Sequence, residues 1–123
     1  QELLGYVPDS ALDIIAKNSN VSRAEVYGVF TFYSDFRSTP PAKAVVKVCV
    51  AEACQASGSA SLISELHDKG YDIHKGNIKD DIQMEQTFCL GNCALGPAAM
   101  VNGAPIGRAT CAKIFAATSA VTA

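Results

Sequence analysis

Four of the five cysteines fall in two tight pairs, Cys49/Cys54 and Cys89/Cys93, spaced C-x4-C and C-x3-C and separated by residues 55–88. Brought together, the pairs offer four sulfurs to one metal centre. Thiolate is a soft donor, which selects zinc, copper(I) or iron-sulfur clusters over magnesium or calcium. The gap within each pair is too short for a strand or a whole helix, so each pair is expected on one loop. Spacing alone leaves a 2Fe-2S cluster, a structural zinc site and disulfides open. Zinc takes four sulfurs tetrahedrally and tolerates such gaps. Disulfides fit worst, because the cysteine count is odd and no basic stretch leads into an apolar one at the start of the chain. No C-x-x-C occurs, which excludes a thioredoxin-type redox pair. A Rieske centre needs two histidines beside its cysteines, and His67 and His74 lie far in sequence from both pairs.

The 123 residues form one domain's length of chain, enough to bury about two thirds of the unfolded surface without a metal to staple it. Hydrophobic residues make up 49%, but no apolar run approaches the ~20 residues needed to cross a bilayer. No membrane insertion is expected. With 10 Lys+Arg against 12 Asp+Glu and no basic cluster, there is no electrostatic footprint for nucleic acid. The expected partner is another protein. No Ser/His/Asp arrangement, phosphate-binding glycine loop or paired carboxylates stand in a catalytic context, so no catalytic residue is assigned. Asp80-Asp81 reads as a solvated turn.

Two unequal layers must position the cysteines. In the first, Pro8 and Asp9 open a helix with Ala11, Leu12, Ile15 and Ala16 at helical spacing, stopped by Asn18-Ser19-Asn20. Ser22 and Glu25 form a capping box, followed by the apolar stripe Val26, Val29, Phe30 and Tyr33, a core or interface face. The Ser38-Thr39-Pro40-Pro41 stretch cannot continue a helix. It divides the chain into a helical segment, residues 1–41, and a second domain, residues 42–123.

The second layer opens on Ala44 to Val50, which reads as a strand buried on both faces with Cys49 near its C-terminal end. Ala51 to Gln55 is expected as a loop carrying Cys54. Ser57 or Ser59 can cap a helix running through Asp68, with Ala60, Ile63 and Leu66 on its inner side and Gly70 at its stop. Tyr71-Asp72-Ile73 and the alternating Ile82, Met84 and Phe88 read as strands, the latter running into Cys89. Asn102-Gly103 is a type I′ hairpin signature between Ala99–Val101 and Ala104–Ile106. Thr110 can cap a last helix with Cys111, Ile114, Phe115, Thr118 and Val121 inward. Cys111 on that stripe reads as a small hydrophobe rather than a ligand. His67 sits near a helix C-terminus, and His74 lies in a loop with Lys75, Gly76 and Asn77.

These residues carry a resemblance. Gly5-Tyr6-Val7-Pro8, the run Ser22 to Val29, Thr31-Phe32-Tyr33 and the two cysteine segments resemble the thioredoxin-like 2Fe-2S ferredoxin family over nearly the whole chain. That family includes the 24-kDa subunit of respiratory complex I, matching subunits of NAD-reducing hydrogenases, and the gamma subunit of NAD-dependent formate dehydrogenases. The resemblance implies an α+β architecture, a helical layer followed by a thioredoxin-like domain. It implies one 2Fe-2S cluster held by Cys49, Cys54, Cys89 and Cys93. It implies electron transfer to or from an FMN-bearing, NADH-binding subunit in the cytoplasm, with no catalytic site on this chain. Cys49 to Gln55, with Glu52, and Cys89 to Met100 most resemble the formate dehydrogenase gamma subunit. The family usually has a further helical segment ahead of the position of Gln1, so the chain is expected to be trimmed at its start. A zinc-stabilised interaction module is the alternative of a different class.

A four-thiolate cluster would also need donors for its negative charge. Gly58, Gly91 and Gly96 are candidates, since glycine permits the positive φ that turns successive N–H groups toward sulfur. Ordinary turn chemistry explains the same glycines. Tyr27, Phe30, Phe32, Tyr33 and Phe36 point around several sides of one helix and its end, so a protein interface is expected there.

Overall fold

The computed structural model describes residues 1–74 and 76–123. The chain divides into two compact units, Gln1–Pro41 and Ala42–Ala123.

The first unit is a helical pair, α1 (Asp9–Ser19) and α2 (Arg23–Phe32). Asn20 takes the left-handed conformation, φ 53°, and its N–H reaches the Ala16 and Lys17 carbonyls, ending α1. Ser22 then opens α2 through the expected capping box: the Glu25 N–H donates to Ser22 Oγ at 3.2 Å and the Ser22 N–H to Glu25 Oε2 at 2.8 Å. The Ser22 N–H foremost, and then the Ser22 hydroxyl, which donates to the same Glu25 Oε2 at 2.7 Å, hold the Glu25 carboxyl below its ordinary value. Arg23 ties the helices together, with ion pairs to Asp9 at 2.7 Å and Asp13 at 3.0 Å. Only Leu12 and Ala16 of α1 are buried, and no residue of α2 is. Val29 is 55% and Phe32 79% exposed. The stripe read as core or interface is therefore not core in this unit.

The second unit is built on a five-stranded sheet in the order β2-β3-β1-β4-β5: β1 (Ala44–Cys49), β2 (Ile78–Lys79), β3 (Ile82–Thr87), β4 (Ala99–Val101) and β5 (Ala104–Ile106). The central strand β1 pairs parallel with β3 and antiparallel with β4. A parallel neighbour requires a crossover, which here carries α3 (Glu52–Ala56) and α4 (Ser59–Asp68). The last helix is α5 (Cys111–Thr122), capped by Thr110, whose Oγ1 accepts from the Lys113 N–H at 3.3 Å. Ala44, Val46 and Val48 form one core with Leu62 and Leu66 of α4 and Ile114 of α5. The α+β expectation is met by this mixed sheet and its helices.

Several expectations change in detail. β1 is not buried on both faces, since Val45 and Lys47 are only half-buried. Cys54 lies on α3 rather than on a loop, five residues being enough for a helical turn. No serine caps α4: Gly58, at φ 101°, precedes it, and its buried face is Ser59, Leu62 and Leu66, with Ile63 half-buried and Ala60 exposed. Tyr71 and Ile73 are buried but belong to no strand, Ile73 lying in a turn. Asp80 and Asp81, at φ 52° and 60°, make the two-residue connection of a β2–β3 hairpin. Phe88 falls past the end of β3 and is 73% exposed, and Val121 on α5 is 42% exposed. His74 is exposed, while its neighbour Lys75 lies outside the described residues. Asn102 and Gly103, both at positive φ, form the expected hairpin. Among the described residues no helix is long and apolar enough to cross a membrane.

Candidate metal centre

Parallel pairing brings the two cysteine segments to the same end of the sheet, beyond the C-terminal ends of β1 and β3. Cys49 is the last residue of β1 and stands opposite Thr87 on β3, so Cys89 follows just beyond the same strand end. The chain turns after each strand. After β1 the turn is fixed by the Val50 N–H, which donates to the Thr87 carbonyl at 2.8 Å, and by Gln55 Nε2, which donates to the Val50 carbonyl at 2.6 Å. Behind it, the buried Ser59 hydroxyl donates to the Cys49 carbonyl at 2.6 Å. Cys93 opens a 3-10 turn, Cys93–Leu95, held by the Leu95 N–H on the Asn92 carbonyl at 3.1 Å.

The pairs differ in environment. Cys49 and Cys54 are each 1% exposed and pack with Ala98, Ala51 and Leu90, whereas Cys89 and Cys93 are exposed. Cys89 Sγ stands 3.8 Å from Cys93 Sγ. That is too long for a disulfide, near 2.05 Å. It matches the spacing of about 3.8 Å expected for two thiolates on one tetrahedral metal with bonds near 2.3 Å. Burial, then a hydrogen bond with Cys49, pushes the Cys54 thiol up, while the Ala98 N–H pulls it back. The Cys93 thiol is pushed up first by its hydrogen bond with Cys89 and then by repulsion from it. Both also feel a sulfur across the gap, Cys54 that of Cys93 and Cys93 that of Cys49. Without metal these sites favour protonated thiols, so metal uptake must release protons.

The sulfurs stand as two pairs rather than as one four-sulfur cage. Among the described residues, no three His, Cys, Asp or Glu side chains converge to hold a single ion. Two thiolates for each of two metals is the demand of a 2Fe-2S centre with four cysteine ligands, and the donor set fits it. The Gly91 N–H lies 3.4 Å from Cys89 Sγ, and the Ala98 backbone lowers the Cys54 thiol. Gly91 (φ 71°) and Gly58 (φ 101°) take the positive φ anticipated for them. Gly96 does not, at φ −66°. Cys89 itself sits at φ 125° without being glycine, backbone strain of a kind that gathers at functional sites. Cys111 is 6% exposed among the α4–α5 core residues, apart from the other four. Ser59 and the Ala98 N–H were not legible as site residues: a serine in a first helical turn reads as a cap, and a backbone donor leaves no mark in sequence.

A family model described as thioredoxin-like [2Fe-2S] ferredoxin matches residues 1–121. The NADP-reducing hydrogenase subunit HndA of Solidesulfovibrio fructosivorans is 30% identical over 112 residues, covering 89% of this chain and 65% of that protein. An NADH-quinone oxidoreductase subunit of Escherichia coli (strain K12) is 33% identical over 104 residues, covering 83% of this chain and 62% of that protein. The chain thus spans less than two thirds of the length of these curated relatives. A crystal structure of an NAD+-reducing [NiFe]-hydrogenase in the air-oxidized state superposes with a TM-score of 0.70 at 26% identity, over 91% of this chain and 20% of that one. With a family match through residues 1–121 and the fold to accompany it, the chain belongs to the thioredoxin-like [2Fe-2S] ferredoxin family.

Proposed function

We propose that this chain is an electron-transfer component of an NAD-linked oxidoreductase complex, holding one 2Fe-2S cluster on Cys49, Cys54, Cys89 and Cys93. The observation that carries the reading is the parallel β1–β3 pairing, which brings Cys49 and the segment of Cys89 to the same end of the sheet, with the Cys89 and Cys93 sulfurs 3.8 Å apart. When bound, such a cluster accepts and returns one electron at a time. The chain's own residues then have three tasks. Cys49 and Cys54, at 1% exposure, keep water from one side of the site. The Gly91 and Ala98 N–H groups offset negative charge on sulfur. The exposed Cys89 and Cys93 give a redox partner its closest approach.

In this reading residues 42–123 are the cluster domain, and residues 1–41 form the docking segment for an FMN-bearing, NADH-binding subunit. An apolar cleft of about 320 Å³ lined by Leu12, Ile15, Val26, Val29, Phe30 and Phe36 supports that assignment. A cytoplasmic setting would keep the thiols reduced. Formate is our proposed distal substrate, on the segments Cys49 to Gln55 and Cys89 to Met100. The relatives named above are hydrogenase and quinone-reductase subunits, and the substrate assay decides among the three. Co-expression with the FMN subunit is expected to give a stable complex in which NADH bleaches this chain's visible absorption. In the whole complex formate, rather than hydrogen or quinol, is expected to do the same. A chain that stays separate from that subunit, with its absorption unmoved by NADH, sinks the role.

A further inference from the structure

The two cysteine-bearing segments touch at a point away from their sulfurs. Gly96, three residues past Cys93, has an ordinary extended backbone at φ −66° and ψ 156°, so its conformation does not call for glycine. Space does. A methyl group on Gly96 would stand 2.9 Å from Ser57 Oγ and 3.0 Å from Ser57 Cβ, whereas unbonded carbons prefer about 3.5–4.0 Å. Ser57 is exposed but tied down by its own hydrogen bonds. It closes α3 just after Cys54, its Oγ donates to the Ala53 carbonyl at 2.7 Å, and its N–H reaches the Ala53 and Cys54 carbonyls, each at 3.2 Å. Two residues on, Ser59 holds the Cys49 carbonyl. The corner at residues 57–59 therefore grips the buried thiol pair on one side and abuts the loop of the exposed pair on the other.

That loop is backed on a second side. A methyl on Gly107 would meet Leu95 Cβ at 2.8 Å, and the Arg108 and Ala109 N–H groups donate to the Leu95 and Pro97 carbonyls at 2.6 and 2.8 Å. Held there, the loop cannot retreat from Ser57 without breaking those bonds. We propose that Ser57 and Gly96 are positioning residues whose closest approach sets the separation of the Cys49/Cys54 pair from the Cys89/Cys93 pair, an inference that rests on the cluster reading above. Neither touches a sulfur. They act by admitting no side-chain carbon between the two segments.

The test uses the full chain as wild type, Gly96→Ala, Ser57→Gly and the double variant, each loaded with iron and sulfide. Electron paramagnetic resonance g values and visible circular dichroism report ligand geometry, bleaching under a chelator reports retention, and melting of the iron-free chains reports the fold. Gly96→Ala is expected to shift the g values and to bleach roughly tenfold faster, the scale seen when a group supporting a metal ligand is lost. Adding Ser57→Gly, which removes both crowding atoms, is expected to bring the spectrum and lifetime back toward wild type, even if Gly96→Ala alone loads poorly. Wild-type spectra and lifetime in Gly96→Ala, or a defect that Ser57→Gly leaves in place, overturns the inference while the cluster reading stands. A wild-type chain that takes up no iron and sulfide sinks both.

Discussion

Replacing Cys49, Cys54, Cys89 or Cys93 by alanine removes one of four proposed sulfur donors and is expected to abolish the visible spectrum or shorten its life severely. Cys111→Ala is expected to keep it and to lower stability by roughly 1 kcal/mol, the scale of a small core truncation. Cys111 also supplies a pH test. Burial, then a hydrogen bond with Glu65, raises its thiol from the ordinary 9.0 to about 11. The folded value lies above the unfolded one, so this contribution is full below pH 9 and disappears as pH rises through about 11. The stability lost across that pH window is about 2–3 kcal/mol, separate from the packing cost of the alanine below pH 9. Iron-free wild type is therefore expected to lose more stability than Cys111→Ala between pH 9 and 11 in denaturant titrations, and equal losses would count against the burial argument. The four ligand candidates were legible because their spacing is local. What supports them was not: Ser59, the Ala98 N–H and the Gly96–Ser57 contact exist only once distant segments meet.

Elements with backbone signatures are legible in the sequence, and those depending on packing are not. Asn102-Gly103 asks for positive φ and has it, at 46° and 87°. Gly103 has nothing within 4 Å of where a Cβ would sit, so Gly103→Ala isolates the backbone cost, expected at about 1–2 kcal/mol in thermal melts of the iron-free chain. Asp80-Asp81 makes a similar turn without glycine, which is why its hairpin leaves no such signature. The α4 face reads off register because a left-handed Gly58, not a serine cap, starts the helix. Tyr71 and Ile73 alternate like a strand, yet among the described residues a single backbone bond, from the Gln86 N–H to the Ile73 carbonyl at 3.1 Å, ties them to β3. In the helical unit, Glu25 titrates below its ordinary 4.5 because it is hydrogen-bonded at the α2 start. Its stabilising effect is present above that value and lost as pH falls through the lowered one. Acid titration of Ser22→Ala is expected to show a weaker pH dependence of helix content below pH 4.5 than wild type; an unchanged profile would count against the capping box.

For the molecule as a whole, the small helical unit, Gln1–Pro41, and the sheet unit, Ala42–Ala123, are the parts to which we assign docking and electron transfer in the proposed function. Phe32 is 79% and Phe36 44% exposed, and both belong to an aromatic group in which Phe32 meets Tyr33 edge-on at 5.0 Å and Phe36 stacks on Phe30 at 5.9 Å. Aromatic anchors carry much of the energy of protein interfaces. Phe32→Glu is expected to weaken binding to the FMN subunit by at least about tenfold, equivalent to about 1.4 kcal/mol, while leaving the cluster spectrum unchanged. Calorimetric titration that finds wild-type affinity would move the interface elsewhere. The proposed cluster itself is read by elemental analysis of the purified chain. About two iron atoms and two acid-labile sulfides per chain are expected, with a rhombic spin-one-half resonance after dithionite reduction. One zinc per chain and no labile sulfide would rule the cluster out.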